Sequence, residues 1–264
     1  PNPETLPLAG QASLAVLAFA VILWVTEAVS YPVSAVMIVA LIAVFVGMSP
    51  MIDDPSTTYG TSGALKLAIG GFSSTAVMLV GGALVLAAAM EITGLHKRIA
   101  LYIMSKVGMK VGALVIGTII VSFVLALFVP SATARAGTIV PILLGIVAAF
   151  GLGRESKLAA VLMITAVQSI SIWNVGIKTA AAQNMVALGF MESEFGINVA
   201  WGEWFLYAAP WSLLMSILLY FVMTRLITVD LSDQTISGNT VKEQLAALGP
   251  MKPNEIRLVI IAAL

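Results

Sequence analysis

Residues 128–138 read FVPSATARAGT, and they interrupt a mostly apolar sequence that runs from 112 to 150. A proline, two hydroxyls (Ser131 and Thr133) and a guanidinium (Arg135) meet at the interruption. In hydrocarbon, non-helical backbone is tolerated only where it is buried in protein or lines a cavity. A charged side chain at that depth marks a functional site by default. The turn therefore reads as half of an anion-binding site in a membrane transporter, and it limits the fold to helices that break on purpose.

Composition supports the membrane setting. Hydrophobic residues make up 60% of the 264 and charged residues 10%, against roughly 45–50% and about 25% in soluble domains. The apolar stretches are long and unbroken, which points to an all-α integral membrane protein rather than to short alternating β segments. A formal net charge of zero supplies no basic surface for nucleic acid. With no cysteine, thiol chemistry and cysteine metal sites are excluded. One histidine and no H-E-x-x-H motif leave little for an intramembrane enzyme, and no cofactor is indicated.

Taken in order, residues 11–29 and 33–48 read as two spans separated by the break at Ser30–Pro32, and 53–63 reads as a polar loop. A third span covers 73–92, with Gly81 and Gly82 as a close-packing site. Residues 94–110 place Leu95, Ile99, Tyr102 and Ile103 opposite Lys97, Arg98, Lys106 and Lys110, the pattern of an amphipathic helix lying in the interface. His96, among these cations, reads as a surface histidine rather than a ligand or proton relay. The acids Glu27 and Glu91 sit near span ends and read as interfacial.

The arms on either side of the turn, 112–129 and 136–150, hold 18 and 15 residues, while a spanning helix wants about 20. Two readings fit: a re-entrant hairpin over 112–150 whose tip stops partway, or two short full spans. Residues 158–188 are long for one span, and their middle (QSISIWNVGIKTAAAQN) is loaded with polar groups. They read as a helix broken at 173–179, the discontinuous type that builds sites near the bilayer midplane. Residues 190–203 read as a polar loop and 204–226 as a span with an aromatic belt of Trp201, Trp204, Tyr207 and Trp211. Residues 228–254 form a soluble connector, and 255–264 begin another span. Because the sequence starts without Met and stops inside an apolar run, further helices are expected beyond both ends.

Ten Lys and Arg residues fall on one set of loops and only Lys66 on the other. That asymmetry places the 94–110 helix, the hairpin feet and the connector in the cytoplasm. The two remaining cations, Arg135 and Lys178, lie inside the membrane. Arg135 alone could be a structural charge, and Lys178 could snorkel to the surface. Two helix breaks, each with a cation and hydroxyl or amide groups, instead resemble a cradle for a small carboxylate, helped by the positive end of the helix that follows the turn. A channel or passive subunit fits the paired breaks less well.

Three blocks, residues 23–44, 69–98 and 130–141 (PSATARAGTIVP), together resemble the divalent anion/sodium symporter family. The resemblance implies carriage of di- and tricarboxylates such as succinate, malate, citrate and 2-oxoglutarate in a bacterial inner membrane. It also implies an inverted-repeat fold, each repeat with a re-entrant hairpin and a broken helix, in a homodimer with an elevator-like movement. This chain would supply the first repeat (residues 1–227) and lack the second. The family's hairpin tips carry Ser-Asn-Thr, which hold a substrate carboxylate and a sodium ion; here Ser131 and Thr133 match and Ala132 replaces the Asn. The implied substrate contacts are Ser131, Thr133, Arg135, Asn174, Lys178 and Thr179, with Ser131 and the carbonyl of Gly176 as ligands of any co-transported sodium. Ser-x-Thr-Ala-Arg resembles the branch that exchanges one carboxylate for another, since a fixed cation can stand in for a mobile one. Exchange and sodium symport both stay open at this point.

Overall fold

A computed structural model describes residues 6–73, 75–229 and 240–263. Among these residues regular structure is helical, apart from a single bridge between Pro50 and Thr58. The chain divides into two units, residues 1–78 and 79–264.

The first unit holds α1 (Leu8–Thr26), α2 (Tyr31–Phe45) and α3 (Gly60–Gly70). Between α1 and α2 the chain turns at Glu27, the left-handed C-cap of α1, and at an extended Ser30, the N-cap of α2, with Pro32 in the first turn where its missing N–H costs nothing. The turn is tied by Trp24, whose indole N–H donates to Ser34 Oγ at 3.1 Å. Asp54 organises the following loop by accepting from Ser56 and Thr57, and those bonds hold its carboxyl below the usual carboxylate range. Residues 60–63, expected in that loop, instead open α3, whose Ala64 packs with Ala9 and Val46.

α4 (Thr75–Thr93) begins in the first unit and ends in the second. The second unit continues with α5 (Leu95–Lys106), α6 (Val111–Phe128), α7 (Ala132–Ala149), α8 (Lys157–Gly176), α9 (Ala182–Phe195), α10 (Trp201–Leu226), α11 (Thr240–Ala247) and α12 (Pro253–Ala263). Five helices among the described residues (α1, α6, α7, α8 and α10) are long and apolar enough to cross a membrane. Outward faces such as Leu206, Leu213, Ile217 and Phe221 of α10 stay exposed, a surface suited to lipid and not to water.

The core is the packing of α6 and α7 against α8, through Leu125, Leu143, Ile146, Leu158 and Leu162. Ser122 of α6 and Ser169 of α8, both fully buried, meet at 2.7 Å. Small hydroxyls let two membrane helices approach and also supply a bond between them. The close pass of α8 and α10 needs Gly176: a Cβ there would stand 2.7 Å from Ser212 Oγ and 2.9 Å from Trp173.

Several expectations change. Gly81 and Gly82 face open space among the described residues. The break at the hairpin tip is only Val129–Ser131, so Thr133 and Arg135 stand in the first turn of α7. The helix after the second break runs on to Phe195, through residues expected as loop. In α5 the buried face is Leu95, Ala100, Leu101 and Met104, while Tyr102 is exposed with Lys106 Nζ 5.4 Å from its ring centroid.

α5 packs along the hairpin. Leu95 packs with Phe128 and Val129 at the tip, and Met104 and Val107 crowd Gly117. Gly117 and Val129 are about 18 Å apart along a helix axis, so α5 runs lengthwise beside α6, with Lys97 and Arg98 toward the tip and Lys106 toward the feet. The connector also joins the hairpin. Val241 of α11 is buried in the same core, and Gln244 crowds Gly145 of α7.

Arg98 fixes the connector by donating to both carboxylate oxygens of Glu255, at 2.9 and 3.1 Å, and to the carbonyls of Leu248, Gly249 and Pro250. Glu255 is 3% exposed and also accepts from Lys252 N, which caps α12. Arg98→Ala should therefore cost about 2 kcal/mol, since it strands a shielded carboxylate. Unfolding in mixed SDS micelles measures this, and Glu255→Ala in the Arg98→Ala background should add little further loss.

Candidate functional site

The hairpin tip is set by sequence chemistry. Pro130 lacks an N–H and favours an extended residue before it, and Val129 is extended (φ −118°, ψ 97°). Ser131 caps α7 by accepting from Ala134 N at 3.2 Å, which leaves its O–H free to donate. The first N–H groups of α7, those of Ala132 and Thr133, have no partner within the helix.

Arg135 is completely buried. Its Nε donates to Ser131 O at 3.4 Å, one Nη donates to Asn174 Oδ1 and to Ala180 O at 3.2 Å, and the other Nη has no partner among the described residues. All its acceptors are neutral. The guanidinium thus ties the hairpin tip to the end of α8 and to the second break itself, and among the described residues its charge meets no carboxylate.

That second break is an extended Ile177, one helical turn over Lys178–Ala180 and an extended Ala181. Its exposed carbonyls are taken one by one. Asn184 Nδ2 donates to the carbonyls of Asn174 (2.6 Å), Ile177 (3.1 Å) and Lys178 (3.4 Å). Trp204 donates to Val175 O and Ser212 to Ile172 O. Sequence reading assigned Asn184 no role; its position one turn into α9 lets one amide hold three carbonyls.

The candidate residues divide into three groups. Ser131 and Thr133 line a cavity of about 440 Å³ at the tip. Arg135 and Asn174 meet each other but do not line it, because Thr133 and Arg135, two residues apart on a helix, point in nearly opposite directions. Lys178 turns away from both, donating to Val199 O at 2.6 Å, and Thr179 stays beside it in the one-turn helix. Gly176 packs against α10. Among the described residues the six candidate contacts are therefore not gathered into one cavity.

The cavity is also lined by Glu91 from the end of α4 and His96 from the start of α5. His96 is not a free surface histidine: its Nδ1 lies 2.5 Å from Met90 O. The only sequence signal was their position on either side of Gly94, which makes the turn with φ 74°.

Comparison with known proteins agrees in kind. The family model of the sodium:sulfate symporter transmembrane region matches residues 1–264. A membrane protein of Cupriavidus necator is 48% identical over 262 residues, 99% of this chain and 51% of that protein. A citrate/succinate antiporter of Escherichia coli is 30% identical over 201 residues, 74% and 41% of the two chains. An L-tartrate/succinate antiporter of Shigella dysenteriae is 28% identical over 232 residues, 84% and 47%. The chain spans about half the length of the curated relatives it matches.

The division of α7 into a cavity face and a buried face is open to direct measurement, because the chain has no cysteine of its own. Thr133→Cys and Gly137→Cys should react with a membrane-impermeant maleimide. Ile139→Cys, on the buried side, should not.

Proposed function

Because this chain belongs to the sodium:sulfate symporter transmembrane-region family, we propose that it is the first inverted repeat of a bacterial inner-membrane carrier that exchanges di- and tricarboxylates. The hairpin feet and the 228–254 connector face the cytoplasm, the carrier works as a homodimer, and its hairpin and broken helix move together in an elevator-like step. Substrates are of the citrate, malate, succinate and 2-oxoglutarate class, in keeping with relatives named citrate/succinate and L-tartrate/succinate antiporters.

One observation carries the reading: Arg135 is wholly buried with neutral acceptors only and one Nη unpartnered. An uncompensated charge in a low-dielectric site is expensive, and an incoming anion relieves that cost. Ser131, Thr133 and the first N–H groups of α7 hold a substrate carboxylate in the tip cavity. Arg135 supplies positive potential from behind α7, and Asn174 keeps it there. An empty carrier retains the uncompensated charge and crosses poorly, so transport becomes exchange. In this arrangement Lys178, bonded to Val199 O, and Thr179 shape the break.

Sodium-coupled symport is the second reading, favoured by the family's own description. Against it, Ala132 offers no side-chain oxygen. The oxygens where the hairpin meets the break, Asn174 Oδ1 and Ala180 O, are already held by the guanidinium.

Counterflow in proteoliposomes of the full-length transporter separates the two. Labelled citrate, malate or 2-oxoglutarate should enter only when unlabelled carboxylate is inside, with or without sodium. Uptake that needs sodium and no internal carboxylate would establish symport instead. Arg135→Ala should abolish uptake while the protein still reaches the membrane; a fully active variant removes Arg135 from the mechanism.

A further inference from the structure

The tip cavity contains two groups that carboxylate binding by Ser131 and Thr133 leaves unused. Glu91, which is exposed, and His96, which is half-buried, line the same open cavity from the end of α4 and the start of α5. A carboxylate in the wall of an anion site repels its ligand, and a hydrogen-bond donor on the ligand offsets that repulsion.

The His96 ring settles the character of this wall. Its Nδ1 contacts the Met90 carbonyl, and a carbonyl only accepts, so Nδ1 carries the hydrogen. In the neutral ring Nε2 is then an acceptor. The Gly94 turn holds this geometry, its own N–H donating to Met90 O at 3.1 Å. Opposite, Ser131 has its oxygen occupied by Ala134 N and offers its hydrogen, and Thr133 Oγ1 is without a partner among the described residues. The cavity therefore has a donating wall on α7 and an accepting wall on α4 and α5.

We propose that Glu91 and His96 recognise a substrate hydroxyl, so that the site prefers 2-hydroxy acids over unsubstituted dicarboxylates of the same length. This rests on the reading that Ser131 and Thr133 hold a substrate carboxylate. The carboxylate takes the donating wall, and the hydroxyl on the adjacent carbon donates to Glu91 or to His96 Nε2. An unsubstituted acid brings no proton to the accepting wall and leaves Glu91 facing another anion. A hydrogen bond to a charged acceptor is worth about tenfold or more in affinity.

The test is uptake kinetics in proteoliposomes of the full-length transporter with malate and succinate, which share a four-carbon backbone. The wild type should show a KM about tenfold lower for malate. Glu91→Ala or His96→Leu, whichever removes the acceptor that the hydroxyl uses, should bring the two KM values together, whereas Glu91→Gln and His96→Gln, which keep an acceptor, should retain much of the preference. A packing defect moves both acids alike, so the ratio is the informative quantity. Where truncation blocks membrane insertion, the similarly sized Glu91→Met and His96→Phe take its place. A wild type that prefers succinate, or a ratio unmoved by loss of either acceptor, overturns the proposal. Wild-type protein that takes up neither acid overturns the carboxylate reading itself, and that result is visible before any variant is made.

Discussion

A guanidinium shut away from solvent with only neutral acceptors is the constraint around which the second unit is arranged. Arg135 needs oxygen atoms at fixed points, and helix interiors cannot supply them because their carbonyls are already bonded along the chain. Breaks can. The second break supplies the carbonyl of Ala180, Asn174 adds a side-chain oxygen from the last turn of α8, and the carbonyl of Ser131, which already accepts from Arg135 N in the first turn of α7, is shared with the guanidinium. A broken helix and a hairpin tip thus become one junction. The carbonyls left over at the break are collected by Asn184, so the irregular backbone survives in an apolar environment.

The same short helix start serves two purposes because of helical geometry. Thr133 lies toward the cavity, while Arg135, two residues on and so nearly opposite around the helix, lies toward the core. The hydroxyl of Thr133 and the first N–H groups of α7 therefore stay available at the cavity while the guanidinium keeps its own partners.

The amphipathic α5 and the connector gain meaning from the hairpin they cover. A polar segment such as residues 240–252 packs beside apolar arms because Val241 enters the core and Arg98 gathers the connector's carbonyls and Glu255 at one point. This arrangement carries His96 to the tip, and it fixes where α12 starts.

Local chemistry made much of this legible from sequence. Pro130 and the polar run after Gln168 can be read as breaks because they contradict the apolar sequence around them, and the membrane setting follows from composition alone. The charge count also singled out Arg135 and Lys178, but it treated them alike. Which oxygen a cation finds depends on neighbouring chain: Arg135 reaches Asn174, 39 residues away, and Lys178 reaches Val199 ahead of α10. Glu91 and His96 carried no local contradiction, since a charged residue and a histidine at a span end are ordinary. Only the return of α5 along the hairpin brings them opposite Ser131 and Thr133. The sequence by itself determined an all-helical membrane chain with two deliberate interruptions, because backbone bonding and solvation are local demands. The tertiary structure alone decided which polar groups share a cavity, because that depends on how helices distant in the chain lie side by side.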